Sequence, residues 1–172
     1  TKRDRTLSLG NALIAPLRLS MMERNIPLWL ETGVDSLIAE GDTIVGVEGT
    51  QRGRKLRIRA RKGVVLAAGG FESNAEMRAK YLPSPTKVEW TTGSPASTGD
   101  AHRMGLEVGG ELDWMHEAWW GPTTVVPGEE RARMLVIEKG LPGCIIVNKR
   151  GERYVNEASP YANVVQVMYA KN

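Results

Sequence analysis

The sequence predicts an α+β fold, and three observations carry that prediction. From Lys55 to Arg61 basic residues alternate with Leu56, Ile58 and Ala60, the two-residue period of a strand with one buried face. Val64-Val65-Leu66-Ala67-Ala68 is apolar throughout and stops at Gly69-Gly70, as a strand covered on both faces would. Leu13, Ile14, Leu17 and Met21 recur at helical spacing.

Taken in order, Gly10 to Arg24 reads as a helix, with Pro16 either kinking it or marking its true first turn. Ile26 to Thr32 and Val34 to Ala39 read as short strands, and Glu40-Gly41-Asp42 turns the chain into a strand from Thr43 to Gly49. The loop Gln51 to Arg54 leads into the alternating strand, so Val34 to Arg61 reads as a β-meander. After the buried strand, Ser73-Asn74-Ala75-Glu76 matches a capping box opening a helix through Tyr81. A second helix starts at Thr98-Gly99-Asp100, sets Ala101, Met104 and Val108 on one face and closes at Gly109-Gly110. Beyond Trp114 the texture changes to Trp119-Trp120-Gly121-Pro122 and Pro127-Gly128. Strands are expected there at Cys144 to Asn148 and Arg153 to Val155, around Lys149-Arg150-Gly151-Glu152. The expected division is therefore residues 1–114 and 115–172.

At 172 residues, with 41% hydrophobic and 25% charged side chains, the chain can bury a core and is not disordered. No apolar run approaches the roughly 20 residues of a membrane-spanning helix. The start, Thr1-Lys2-Arg3-Asp4-Arg5, lacks the apolar core of a signal peptide, so a soluble, cytoplasmic protein with no transmembrane segment is expected. Cys144 alone cannot form an internal disulfide, and His102 and His116 are too few and too far apart for a zinc site, so no metal is expected and redox work would need an organic cofactor. The net charge of +3 and the basic stretch Arg52 to Lys62 raise the question of nucleic acid. The alternation answers it as a solvated strand face, and no aromatic residues interleave with the charges.

Two backbone features could serve a dinucleotide: the glycines ending the apolar strand, and Thr98-Gly99-Asp100 at a helix start, where free amides favour anionic oxygens. Each also reads as an ordinary turn or helix cap. In combination they mean more. Gly33-Val34, the run Val64 to Phe71 (VVLAAGGF), Ser94 to Asp100 (SPASTGD) and Ile146 to Glu157 (IVNKRGERYVNE) together resemble the fumarate reductase and 3-ketosteroid dehydrogenase superfamily of FAD-dependent oxidoreductases. The resemblance runs through nearly the whole chain in order. It implies FAD as cofactor, with Val34, Ala68, Gly69, Gly70, Thr98, Gly99 and Asp100 approaching it, and implies that residues 1–114 close a Rossmann-like FAD-binding domain while 115–172 begin an inserted substrate cap.

The family's opening Gly-x-Gly-x-x-Gly turn is absent here, as are its later cofactor contacts, so the chain is expected to be an internal piece of a longer flavoenzyme, inactive by itself. Fumarate reductases resemble this chain but carry His-Pro-Thr early in the cap, Thr-Glu-x-x-Arg before the IVN-type strand, and a proton-donating Arg after the Asn-Glu pair. The corresponding segments here read Trp119-Trp120-Gly121-Pro122-Thr123, Ile137-Glu138-Lys139-Gly140-Leu141, and Asn156-Glu157 followed by Tyr161. A dicarboxylate needs cations, whereas Trp119, Trp120, Leu141 and Tyr161, with Glu138 retained, suit a large apolar ketone. The resemblance is thus closer to the ketosteroid dehydrogenase branch, implying a steroid-like ketone substrate, an unidentified electron acceptor and Tyr161 as the group handling the proton. Tyr161 also reads as a packing residue of a helix running to Tyr169, and Trp119 and Trp120 as cap core. Arg153 with Glu157 reads as a structural pair, His102 as a surface residue and Cys144 as a small buried hydrophobe. The rival functions are a reductase of unsaturated acids and, were the chain complete, a non-catalytic binding or structural module.

Overall fold

The computed structural model describes residues 6–171. Helix α1 spans Leu9–Glu23 with Pro16 inside it, and β1 Thr32–Glu40, β2 Thr43–Gln51 and β3 Arg54–Arg59 form an antiparallel sheet in the order β1-β2-β3. Helices α2 (Ala75–Tyr81) and α3 (Asp100–Glu107) follow, then a two-residue ladder of β4 (Thr123–Thr124) with β5 (Arg133–Met134), and finally α4 (Tyr161–Lys171). The fold is mixed helix and sheet, as the sequence predicts. No described helix is long and apolar enough to cross a membrane.

The meander forms because its alternation gives each strand one face to bury. Leu37 faces Val47, Val47 faces Ile58 and Gly49 faces Leu56, while Arg57 turns outward to Glu48 at 3.2 Å. The β1–β2 register slips between Val34 and Ser36. At that bulge the Asp35 carbonyl accepts from Arg103 Nη2 at 3.0 Å, and its carboxylate accepts from Thr50 Oγ1 at 3.1 Å. The irregularity is where α3 docks on β1.

Several expectations need correction. Val64 to Ala68 is not a strand: the segment carries no ladder, and Val65 is 90% exposed. A run apolar on both faces needs partners on both sides, and no other described strand lies beside it. Ile26 to Thr32 is not a strand either. Pro27 lacks a ladder donor, and Glu31 takes a positive φ of 54° that breaks extension, so the strand begins at Thr32 and runs unbroken through Gly33 to Glu40. Within the Ser73-Asn74 pair expected to open α2, Asn74 is the cap: its side chain accepts from Met77 N–H at 3.0 Å, while Ser73 Oγ donates to the Ser94 carbonyl at 2.9 Å. The two strands expected around residues 149–152 reduce to one bridge between Val147 and Arg153, because Asn148 closes the turn with its own side chain, accepting from the Arg150 and Glu152 amides.

Glycine at positions 46 and 49 is a requirement of the sheet. A Cβ on Gly49 would stand 2.1 Å from the Gly33 carbonyl oxygen, and one on Gly46 2.2 Å from that of Ile58. Gly49→Ala should therefore destabilise the protein by about 1–3 kcal/mol, the usual cost of overpacking. Gly10→Ala, on a helical site with nothing near, should be neutral or stabilising by a few tenths up to about 1 kcal/mol. Urea denaturation of the full-length protein reads both, and equal effects would contradict the steric account.

Candidate functional site

Two glycine-bearing turns are sewn together by hydrogen bonds. Gly99 N–H donates to the Gly70 carbonyl at 3.0 Å and Ser73 N–H to Ser97 at 3.0 Å, while Asn74 Nδ2 donates to Thr98 at 2.9 Å. Close approach excludes side chains there. A Cβ on Gly69 would lie 2.9 Å from Ser97 Oγ and one on Gly99 2.4 Å from Met77 Sδ, and both residues adopt positive φ, 80° and 88°. Gly99 precedes α3 without a side-chain cap; Asp100 instead accepts from Thr98 Oγ1 at 3.2 Å. The first-turn amides of α3 therefore have no intrahelical acceptors and sit beside small residues. Ala68 and Gly69 are exposed on the neighbouring turn, and Val34 is exposed on β1, the strand that α3 contacts.

A cleft of about 530 Å³ opens beside the Gly70 turn. Gly70, Arg78, His102, Trp119 and Trp120 are among the residues that line it. Arg78 is buried, donating to Thr86 Oγ1 at 3.0 Å and to the Glu72 carbonyl at 3.2 Å, and burial pushes its guanidinium below the ordinary value. His102 is not a surface residue: it is half-buried with its ring edge-on to Phe71, centroids 5.5 Å apart. Its Nδ1 is sealed from solvent without a partner among the described residues.

Trp119 Nε1 donates to the hydroxyl of Tyr161, which stands behind the cleft lining, at 2.9 Å. Trp120 meets Tyr169 edge-on, centroids 5.6 Å apart. The structure thus brings together Gly70, Trp119, Trp120 and, through Trp119, Tyr161. It does not bring Leu141 or Glu138 to the cleft. Leu141 is 53% exposed elsewhere. The Glu138 carboxylate turns back onto the amides of Glu138 itself, Ile137 and Val136, which hold it below the usual carboxylate range.

The backbone before Tyr161 is held by two buried charges, Lys139 and Glu157, of which a sequence reading finds only the second. Lys139 Nζ donates to the carbonyls of Glu157 at 2.7 Å and Ser159 at 2.6 Å. Glu157 accepts from Arg153 Nη2 at 2.6 Å and from Ile146 N–H at 2.7 Å, the structural pair that the sequence predicts. Nothing about Lys139 in sequence distinguishes it from a solvated lysine, and Arg78 gives no signal beyond its place on a short capped helix.

With its glycine turns tied to a helix N-terminus and an exposed apolar segment leading into them, the chain has the layout of a flavin-dinucleotide-binding domain. It matches the FAD binding domain family over residues 1–172 and belongs to that family. It is 39% identical over 168 residues to 3-oxosteroid 1-dehydrogenase of Mycobacterium tuberculosis strain H37Rv, and 40% identical over 168 residues to that of Mycolicibacterium smegmatis, in each case across 95% of this chain. It spans 30% and 29% of those two relatives' lengths. The crystal structure of 3-ketosteroid delta1-dehydrogenase from Sterolibacterium denitrificans, in complex with 1,4-androstadiene-3,17-dione, superposes with TM-score 0.93 at 45% identity, covering 99% of this chain and 31% of that one. FAD is the cofactor of the family, and the residues present fit it: side-chain-free turns at Gly69 and Gly99 and unpaired helix-start amides suit close approach of an anionic, extended group.

Glu157 gives the site a pH signature. Its carboxylate is held down to about 2, from an ordinary 4.5, first by Arg153 and then by the Ile146 amide. A carboxylate depressed on folding stabilises the protein fully above its unfolded value, and that contribution disappears as pH falls through the folded one. Stability should therefore drop between about pH 4.5 and 2 more steeply in the wild type than in Glu157→Gln. Melting temperature against pH reads this, and parallel curves would refute it.

Proposed function

We propose that this chain is the part of a flavin-dependent 3-ketosteroid dehydrogenase that joins the cofactor domain, residues 1–114, to the start of the substrate cap, residues 115–172. The observation that carries the reading is the contact of the Tyr161 hydroxyl with Trp119 Nε1, the indole of a residue that lines the same cleft as Gly70. A phenol bonded to a cleft-lining indole suits a large ketone and offers a proton acceptor, while the Arg78 guanidinium at the same cleft is engaged by Thr86 and the Glu72 carbonyl. The identity to 3-oxosteroid 1-dehydrogenases supports the same substrate class.

The reaction removes two hydrogens from adjacent carbons beside the ketone. FAD, when bound, supplies the acceptor for the hydride lost from one carbon. Tyr161, as the phenolate, takes the proton from the neighbouring carbon made acidic by the carbonyl, and a carbon–carbon double bond forms between the two. Trp119 holds the phenol oxygen through its indole N–H, and the rings of Trp119 and Trp120 give the cleft apolar surface. Val34, Ala68, Gly69, Gly70, Thr98, Gly99 and Asp100 would hold the cofactor, whose reduced form would need an external electron acceptor. Leu141 and Glu138 are left to cap packing and backbone capping.

Anaerobic addition of a 3-ketosteroid to the full-length protein should bleach its flavin absorbance without added reductant. Tyr161→Phe keeps the ring and removes the hydroxyl, so turnover should fall by about two to four powers of ten, the contribution of a positioned acid or base, with FAD content unchanged. Wild-type turnover at saturating steroid would sink the assignment of Tyr161.

A further inference from the structure

We infer that Lys139 is the positioning residue for Tyr161, clamping the turn that carries it through bonds to the Glu157 and Ser159 carbonyls; this rests on the proton-transfer reading of Tyr161 given above. Lys139 is only 4% exposed and sits in a single helical turn, Glu138–Gly140, remote in sequence from the segment it holds. Among the described residues it forms no ion pair with a carboxylate. Its ammonium is satisfied by main-chain oxygens at 2.7 and 2.6 Å. A buried ammonium is costly to desolvate, and what offsets that cost here is two directional bonds to carbonyls of the segment that carries Tyr161.

The turn it clamps is otherwise set from within. Asn156 accepts from the Ala158 amide through Oδ1 at 3.1 Å and from the Ser159 amide through its carbonyl at 3.0 Å. These bonds use the amides of 158 and 159 and leave the carbonyls of 157 and 159 needing donors, which Lys139 supplies. Pro160 then fixes one dihedral, and Tyr161 opens α4, with Val164 N–H returning to the Pro160 carbonyl at 3.1 Å. Between the clamped Ser159 carbonyl and the phenol stands only one residue, a proline. The phenol's far end meets Trp119 at 2.9 Å, so displacement of the turn moves the hydroxyl directly.

The test uses the full-length, FAD-loaded enzyme. Lys139→Met keeps length and removes the donors. It should lower kcat by about 10- to 100-fold, the penalty of misplacing a reacting group by roughly 1 Å. KM for the steroid should stay within about twofold and FAD content should be normal, the pattern of a loss confined to the transition state. Lys139→Arg, which restores donors, should recover part of the rate. The deciding measurement is the double variant with Tyr161→Phe. If Lys139 acts through the phenol, the double variant turns over at nearly the rate of Tyr161→Phe alone. Wild-type kcat in Lys139→Met, a rise in KM alone, or losses that multiply in the double variant would each overturn the clamp. Should Lys139→Met fail to load FAD, Lys139→Gln is measured by the same criteria, and an FAD-free Lys139→Gln protein would make this a folding residue and overturn the positioning role. Wild-type turnover in Tyr161→Phe would strike the underlying reading instead, whereas a slow Tyr161→Phe beside an unaffected Lys139→Met would strike only the clamp.

Discussion

The hydrogen-bonded seam between residues 70–74 and 97–99 is the constraint on which the arrangement depends. It joins segments that would otherwise be independent loops, and it allows no side chain at Gly69 or Gly99. The same few residues start both short helices: Asn74 caps α2 while donating across the seam, and Gly99 ends the seam where α3 begins. From there Arg103 reaches Asp35 at the bulge of β1, so the seam also orients the meander. The groups proposed to face the cofactor come from three distant stretches of sequence, and they are drawn together by a seam of two main-chain bonds and the Asn74 side-chain amide.

The parts legible in sequence were those whose physics is local. Alternation from Lys55 onward sufficed for the meander, because a strand with one wet face writes its period into the residues themselves. The helix α3 and its glycine closure were legible for the same reason: Gly109 takes a φ of 87°, and Gly110 N–H returns to the Gly105 carbonyl at 2.9 Å. Val64 to Ala68 failed as a strand because its apolar residues state a demand for neighbours on both faces, and that demand is met only by other strands. The contact of Trp119 with Tyr161, 42 residues apart across irregular chain, has no period to betray it. FAD and the ketosteroid branch became readable only through resemblance, since Gly69-Gly70 and Thr98-Gly99-Asp100 are each compatible with an ordinary turn or cap.

The segment after Trp114 is built by a different principle from the meander. Its regular elements before α4 are one two-residue ladder and a single turn of helix, and its order comes from side chains bonded to backbone: Thr123 to Trp90, Glu138 to Val136 and Ile137, Glu157 to Ile146, Lys139 to two carbonyls. Such bonds satisfy main-chain groups that no ladder pairs. They fix loops at defined points and leave their sequences free elsewhere, which suits a surface that must be shaped around a ligand.

That principle accounts for the composition of the interior. Among the described residues the buried apolar side chains are Met104, Ala132, Val164 and Val165, and beside them Arg78, Ser97, Lys139 and Glu157 are equally buried. Each of the three charged groups reaches a main-chain partner: Arg78 the Glu72 carbonyl, Lys139 the two before Tyr161, Glu157 the Ile146 amide. An apolar residue in any of these places would fill the volume and remove a desolvation cost, yet would leave a buried carbonyl or amide unpaired. The charges are therefore best understood as the fasteners of a loop-built wall: hydrophobic packing is non-directional and could not set a phenol's position, whereas a short bond to a carbonyl oxygen fixes both a distance and a direction.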